Sequence, residues 1–122
     1  MKKAHNFREL FIWKDSMSLV KKIYVLTSQL PKDERFGLIS QINRSSISIP
    51  SNIAEGSGIT TEKEFSRFLE IAMYSSYELE TQLILVSELF EAEVTEILNE
   101  LKNIQLKIGA FKKTLKIGRY MN

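Results

Sequence analysis

The chain of 122 residues contains no cysteine, which excludes disulfide frameworks, thiol catalysis and cysteine-bound metals. Its five glycines and two prolines are too few for a loop-rich β fold. No window holds 18 consecutive apolar residues, and the basic start Met1–Lys3 is not followed by the apolar run of a signal peptide. We therefore expect a cytoplasmic protein that has no membrane contact.

The residues that are present fit one globular domain spanning residues 1–122, with 43% hydrophobic and 26% charged side chains. The net charge of +2 is unevenly distributed. Residues 1–30 hold six Lys or Arg against two acids, and residues 93–122 hold six against three. Residues 60–92 hold seven Glu against two basic residues, so an acidic segment separates two basic ones.

Four segments repeat apolar residues at alternating spacings of three and four, and no segment alternates with the period of two that a strand needs. We predict helices at residues 10–29, 33–55, 61–90 and 93–117. Because the links between them are short, sequential helices should pack antiparallel. The predicted fold is an all-α, antiparallel up-down-up-down four-helix bundle.

Each predicted helix has a stripe of residues that we expect in the core. In the first helix a neighbouring stripe, Ile12, Leu19, Ile23 and Leu26, lies beside the main one. The main stripes of the four helices, in chain order, are Leu10, Trp13, Met17, Val20, Tyr24 and Thr27; Phe36, Ile39, Ile42, Ser46, Ile49 and Ile53; Phe65, Leu69, Ala72, Ser76, Leu79, Leu83, Val86 and Phe90; and Val94, Ile97, Leu101, Ile104, Ile108, Phe111 and Leu115.

Two local signals concern the helix backbones. Pro50 removes a backbone donor inside the second predicted helix, so we expect a kink or a break there. Thr61 and Glu64 stand three residues apart at the start of the third predicted helix. This spacing predicts a capping box, in which each side chain bonds the other residue's backbone N–H.

Residues that carry chemistry are scarce. His5 is the single histidine, and it lies close to an end that we expect to fray, so it cannot supply an oriented imidazole. No phosphate-binding or dinucleotide-binding motif occurs. We therefore predict a non-enzymatic protein with no catalytic residue, cofactor, metal or small-molecule substrate. A hydrolase that uses Glu55 and Glu78 is the minor alternative.

A polar stripe follows the second predicted helix at spacings of four and three, and a shorter one follows the third. An ordinary solvated face is one interpretation. The other is a buried network that fixes the register of the helices, since unpaired buried polar groups are costly. The residues are Gln41, Ser45, Ser48, Asn52 and Glu55, flanked by Arg44, and then Ser75, Glu78 and Gln82.

The third predicted helix also carries more apolar residues than one core stripe requires. At about 100° per residue, this surplus points away from the core stripe. Scattered exposed apolar residues are common, but burial in a subunit interface is the alternative that we favour. The candidate interface residues are Met73, Tyr74, Tyr77, Ile84 and Leu85.

Three runs of sequence resemble a known family. They are residues 30–38 (LPKDERFGL), 41–46 (QINRSS) and 48–56 (SIPSNIAEG), with supporting matches at Phe7, Leu10 and Trp13 and along the third predicted helix. The chain resembles the four-helix bundle proteins encoded by intervening sequences of bacterial 23S rRNA genes. The resemblance covers residues 7–90, and the Ser-Ile-x-x-Asn-Ile-Ala-Glu-Gly run is its most specific part.

The resemblance implies a homo-oligomer, typically a pentameric ring, that is associated with rRNA and has no defined reaction. A related bundle is an accessory subunit of the reverse transcriptases of diversity-generating retroelements. The polar residues that match the family motif are Gln41, Arg44, Asn52, Glu55, Glu78 and Gln82.

The two basic segments suggest where RNA would bind. In the predicted bundle the first and fourth helices are neighbours, so their cations should form one continuous edge. We expect this edge to bind RNA or an RNA–protein complex in a salt-sensitive, weakly sequence-specific way. The alternative is a protein-interaction scaffold or accessory subunit with no direct nucleic-acid contact. The candidate residues are Lys14, Lys21, Lys22, Lys102, Lys107, Lys112, Lys113, Lys116 and Arg119.

Overall fold

The computed structural model describes residues 5–34, 36–58 and 61–115. Within these ranges it contains four α-helices and no strand, so the prediction of an all-α protein with four helices is confirmed. The helices are α1 (Phe11–Ser28), α2 (Leu38–Ser57), α3 (Glu62–Phe90) and α4 (Thr95–Lys113). Among these described helices, none has both the length and the apolarity needed to cross a bilayer.

The helices pack around one apolar core. α2 contacts both α1 and α3, and α4 contacts both α1 and α3. The core stripe predicted for α3 is buried from Phe65 to Val86, and that of α4 is buried at most of its positions, including Leu101 and Ile108. These two helices therefore use the stripes that their sequence periodicity indicates.

The main stripe predicted for α1 lies only partly in the core, and the neighbouring stripe is buried more completely. Thr27 is buried, and Leu10 and Trp13 pack against the core. Ile12, Leu19 and Ile23 are almost completely buried, whereas Tyr24 of the main stripe is 45% exposed. Trp13 is only half-buried. Both stripes have the helical period, so periodicity alone does not identify which one faces the other helices of the same chain.

α2 begins at Leu38, five residues after the predicted start at Asp33. A single 3₁₀ turn at Lys32–Glu34 comes first, and Gly37, with φ −108° and ψ −106°, separates it from the helix. Because Phe36 precedes the helix, it does not join the core stripe of α2 and is 85% exposed. The placement of Phe36 in the core was therefore wrong.

Two local predictions also need correction. α2 continues through Pro50 to Ser57, so the break that was one of the two outcomes expected there does not occur. The capping box at the start of α3 is only half formed. The Thr61 hydroxyl accepts a bond from the Glu64 N–H at 3.1 Å, as predicted. The Glu64 carboxylate, however, accepts the Thr61 hydroxyl proton at 3.0 Å instead of bonding the Thr61 backbone.

α2 and α3 approach each other closely at Gly56, near the end of α2. A Cβ added there would lie 2.7 Å from the Cβ of Phe68 and 2.8 Å from a ring carbon of Phe65. Any side chain would therefore force α2 and α3 apart. Gly56 is part of the sequence run that resembles the family, and this contact explains why a glycine is needed there.

We expect Gly56→Ala to lower the free energy of unfolding by about 1–3 kcal/mol, because the added methyl group overpacks the contact with Phe68. Gly109→Ala is a matched control in α4, where an added Cβ meets nothing within 4 Å. It should raise stability by about 0.5–1 kcal/mol, since alanine favours a helix over glycine. Urea unfolding of both variants tests the contact, and equal effects would contradict it.

Candidate nucleic-acid and subunit interfaces

The predicted polar stripes of α2 and α3 meet in a hydrogen-bonded contact. The Ser45 hydroxyl donates to Oε1 of Gln82 at 2.7 Å, and both residues are buried. The hydroxyls of Ser48 and Ser75 lie 2.7 Å apart. Nδ2 of Asn52 donates to the Ser48 hydroxyl at 2.9 Å. These short side chains connect the two helices and fix how one lies along the other.

The remaining residues of the stripes lie outside this network. Gln41, Arg44, Glu55 and Glu78 are exposed, and within the described ranges none of them makes a side-chain hydrogen bond or an ion pair. Both carboxylates of the minor hydrolase hypothesis are in this exposed group. The stripe is therefore a buried network at its centre and a solvated surface at its edges.

A second buried polar contact, which the sequence analysis missed, joins α3 to α4. Nε2 of Gln105 donates to the Ser76 hydroxyl at 3.2 Å and to the Glu80 carboxylate at 2.9 Å. Gln105 is next to Ile104 on the apolar side of α4, and an amide at such a position was the available signal. α3 is thus fixed to both of its neighbours by polar side chains.

The boundary between α1 and α4 contains paired charges. Nζ of Lys107 lies 2.6 Å from the Asp15 carboxylate, and Lys22 bonds Glu100. The hydrogen bond to Glu100 raises the pKa of Lys22. α1 and α4 are neighbours, as the predicted basic edge requires, but Asp15 and Glu100 interrupt that edge and neutralise Lys107 and Lys22.

Four candidate lysines remain exposed and outside any ion pair of the described chain: Lys14 and Lys21 on α1, and Lys102 and Lys113 on α4. At about 100° per residue, each pair projects roughly 90° or more away from the paired boundary. Lys112, by contrast, is 3.3 Å from Glu70 of α3. The predicted sites Lys116 and Arg119 lie outside the described residues.

The candidate interface residues on α3 have different surroundings. Tyr74 is 62% exposed and Tyr77 is 52% exposed, while Ile84 and Leu85 are each 42% exposed. Met73 is half-buried and packs against the core, so it does not belong to the surplus. We call Tyr74, Tyr77 and Leu85, with Glu78 and Glu88 beside them, the α3 outer face.

His5, which we expected at a fraying end, contacts residues of α2, α3 and α4. Its backbone N–H donates to the carbonyl of Ser57 at 3.1 Å. Its ring packs 5.1 Å from the ring of Phe65 and 5.8 Å from that of Phe111. Nε2 lies 3.9 Å from the Glu62 carboxylate. The rings of Phe65 and Phe111 thus form an apolar site for the imidazole.

The four packed helices and the serine-lined contact between α2 and α3 define a small all-α protein. Residues 8–110 match the model of the 23S rRNA-intervening sequence protein family, and the chain belongs to that family. It is similar to a crystal structure of a protein of unknown function from the S23 ribosomal protein family of Bacteroides thetaiotaomicron. The TM-score is 0.76 at 25% identity, over 84% of this chain and 98% of that chain. A comparison with curated proteins gives no match.

Replacing Ser45 by Ala should cost about 1–3 kcal/mol of stability, because it leaves the buried amide oxygen of Gln82 unpaired. Adding Gln82→Leu removes that oxygen, so the double variant should lose less than the sum of the single losses. We expect a coupling energy of about 0.5–2 kcal/mol in a double-mutant cycle measured by urea unfolding.

Ser87→Ala is the control for this cycle. The Ser87 hydroxyl bonds only the carbonyl of Ile84, within its own helix, at 2.7 Å. Its loss should change stability by no more than about 0.5 kcal/mol. Strictly additive effects of the Ser45 and Gln82 changes would show that the contact does not connect α2 and α3 energetically.

Proposed function

We propose that this protein is a non-enzymatic, self-associating helical bundle of the cytoplasm that binds RNA, or an RNA–protein complex, through lysines of α1 and α4. The family name links its members to 23S rRNA genes. The observation that carries the proposal is the presence of four exposed lysines outside ion pairs: Lys14, Lys21, Lys102 and Lys113. Such side chains can neutralise phosphates without first breaking a bond within the protein.

The bundle that we propose is antiparallel and up-down-up-down. Asp15, near the start of α1, pairs with Lys107 near the end of α4, while Lys22, farther along α1, pairs with Glu100 earlier in α4. This order of contacts is that of two helices running in opposite directions. The links from α2 to α3 and from α3 to α4 are only four residues long, at 58–61 and 91–94, and they support the same arrangement for those pairs.

The assembly that we propose is a ring of identical subunits, most simply a pentamer. The exposed apolar side chains on α3 support burial between subunits. A ring would repeat the same few lysines around its circumference. Several weak phosphate contacts would then act together, and avidity would compensate for the small charge of each subunit.

The competing proposal is a protein-interaction scaffold or accessory subunit that has no direct nucleic-acid contact. Lys22, Lys107 and Lys112 favour it, because their charges are already paired with carboxylates of the same chain. Nucleic acid that co-purifies, seen as excess absorbance at 260 nm that nuclease removes, would argue against it.

RNA binding should depend on the unpaired lysines and much less on their paired sequence neighbours. Lys21 and Lys113 are unpaired, whereas the adjacent Lys22 and Lys112 pair with Glu100 and Glu70. We expect the Lys21→Gln/Lys113→Gln variant to bind a structured RNA more weakly. The slope of log K against log salt should fall by about 1.4–1.8, because two phosphate contacts are lost.

The Lys22→Gln/Lys112→Gln variant removes the same charge and is the matched control. It should change the slope by less than half as much in the same titration. Light scattering on both variants should give the wild-type mass, so that an altered assembly does not explain the result. Equal losses in the two variants would mean that net charge alone matters, and no loss in either would contradict RNA binding at these sites.

Self-association should depend on Tyr77. We expect the wild-type protein at micromolar concentration to scatter light as an oligomer, and Tyr77→Glu to reduce it to the 14.1 kDa monomer with unchanged helix content. A buried carboxylate without a partner is costly at an interface. Tyr77→Phe keeps the apolar ring and should still assemble. A monomeric wild-type protein would refute self-association.

A further inference from the structure

α1 and α2 together form an apolar surface that the described part of the chain leaves open. We call it the acceptor face. One hollow in it is lined by Trp13, Met17 and Val20 of α1 and by Ile47, Pro50 and Ala54 of α2. A second hollow shares Ile47 and adds Tyr24, Ile39 and Arg44. Because Ile47 belongs to both, the two hollows adjoin and form one mainly apolar surface along the pair of helices, with Ser40, Asn43 and Ser51 as its neutral polar residues.

The second apolar stripe of α1 indicates that this surface is buried in the functional protein. Trp13, Met17, Val20 and Tyr24 repeat at spacings of four, three and four, beside a second stripe that fills the core. Within the chain, however, the side chains of this repeat are only half-buried or exposed. A helix that is apolar on two sides is typical of one that is covered on two sides.

We infer that the acceptor face binds the α3 outer face of a second copy of this chain. The inference rests on the self-association proposed above and specifies the surfaces that produce it. Both faces belong to the same chain and have no cover among the described residues. Each face would cover the other, and their contact would remove both apolar surfaces from water.

The charges of the two faces are complementary. Among the described residues that line the acceptor face, Arg44 is the single charged side chain and none is a carboxylate. The α3 outer face carries Glu78 and Glu88, which are exposed and in no ion pair of the described chain. An arginine facing two carboxylates would favour this pairing and would disfavour contact between two acceptor faces.

The spacing of the residues on the α3 outer face suits a groove between two helices. Tyr74, Tyr77 and Leu85 lie at spacings of three and eight, so they project from one side of α3 as a helix does when it occupies a groove. The acceptor face and the α3 outer face are different surfaces, so each subunit uses one for each neighbour. Such a head-to-tail contact closes into a ring when the rotation between subunits permits.

Mixing two variants tests the inference. Ile47→Glu disables the acceptor face and leaves α3 intact, while Tyr77→Glu does the reverse. Both positions are at least 41% exposed, so both proteins should keep their helix content by circular dichroism. Each variant alone should be a 14.1 kDa monomer, and an equimolar mixture should form a heterodimer of about 28 kDa through its one remaining pair of intact faces.

Light scattering is measured first on the wild-type protein and then on the variants and their mixture over a range of concentrations. A monomeric wild type would overturn the self-association itself. An oligomeric wild type with an Ile47→Glu variant of the same mass would overturn only the assignment of the acceptor face. A mixture that stays monomeric at the highest concentration would also overturn it, because the two faces left intact would then not bind each other.

Discussion

The close contact between α2 and α3 is the constraint on which the other features of the molecule depend. Gly56 lets the backbone of α2 approach Phe65 and Phe68, where any Cβ would collide. Beyond this point the helices are joined by the hydroxyls of Ser45 and Ser48, which are too short to pair across a wider gap. Small residues and paired polar groups thus set one distance and one register for the two helices.

This contact determines which surfaces of α2 and α3 remain available. Once α2 turns its serines towards α3, its apolar residues are divided between the core and the side that faces α1. Ile53 is completely buried, whereas Ile47 is 41% exposed. In the same way, α3 uses Gln82 and Ser76 towards its two neighbours and leaves Tyr74 and Tyr77 on the far side. The exposed apolar surfaces therefore follow from a fixed orientation of the helices.

The sequence periodicity predicts the helices well because each buried stripe has the helical period over many residues. The periodicity fails where the position of a residue depends on where a helix begins or on contacts with other helices. Phe36 continues the spacing of α2, but the helix begins only after Gly37, so Phe36 lies outside it. His5 has no periodic signal, and its position depends on rings from α3 and α4. Neither outcome can be derived from the spacing of one segment.

The candidate sites were only partly predictable for a related reason. The contact between the stripes of α2 and α3 was one of two interpretations of the sequence, since small polar residues at helical spacing suit either close helices or a solvated face. The ion pairs of Lys22 and Lys107 were not, because they depend on how α1 and α4 are aligned along their lengths. A count of basic residues measures the charge of a segment, but it does not show which charges are already neutralised.

The part of the main α1 stripe that lies outside the core also requires an explanation. A helix can carry apolar residues on every side that is buried in the functional protein. This includes sides that other subunits cover. Ile12 and Leu19 are buried inside the chain. Trp13, Met17 and Val20 have the same period but line an open hollow. The simplest physical account of both stripes is that α1 has two apolar partners, one of which is outside the chain.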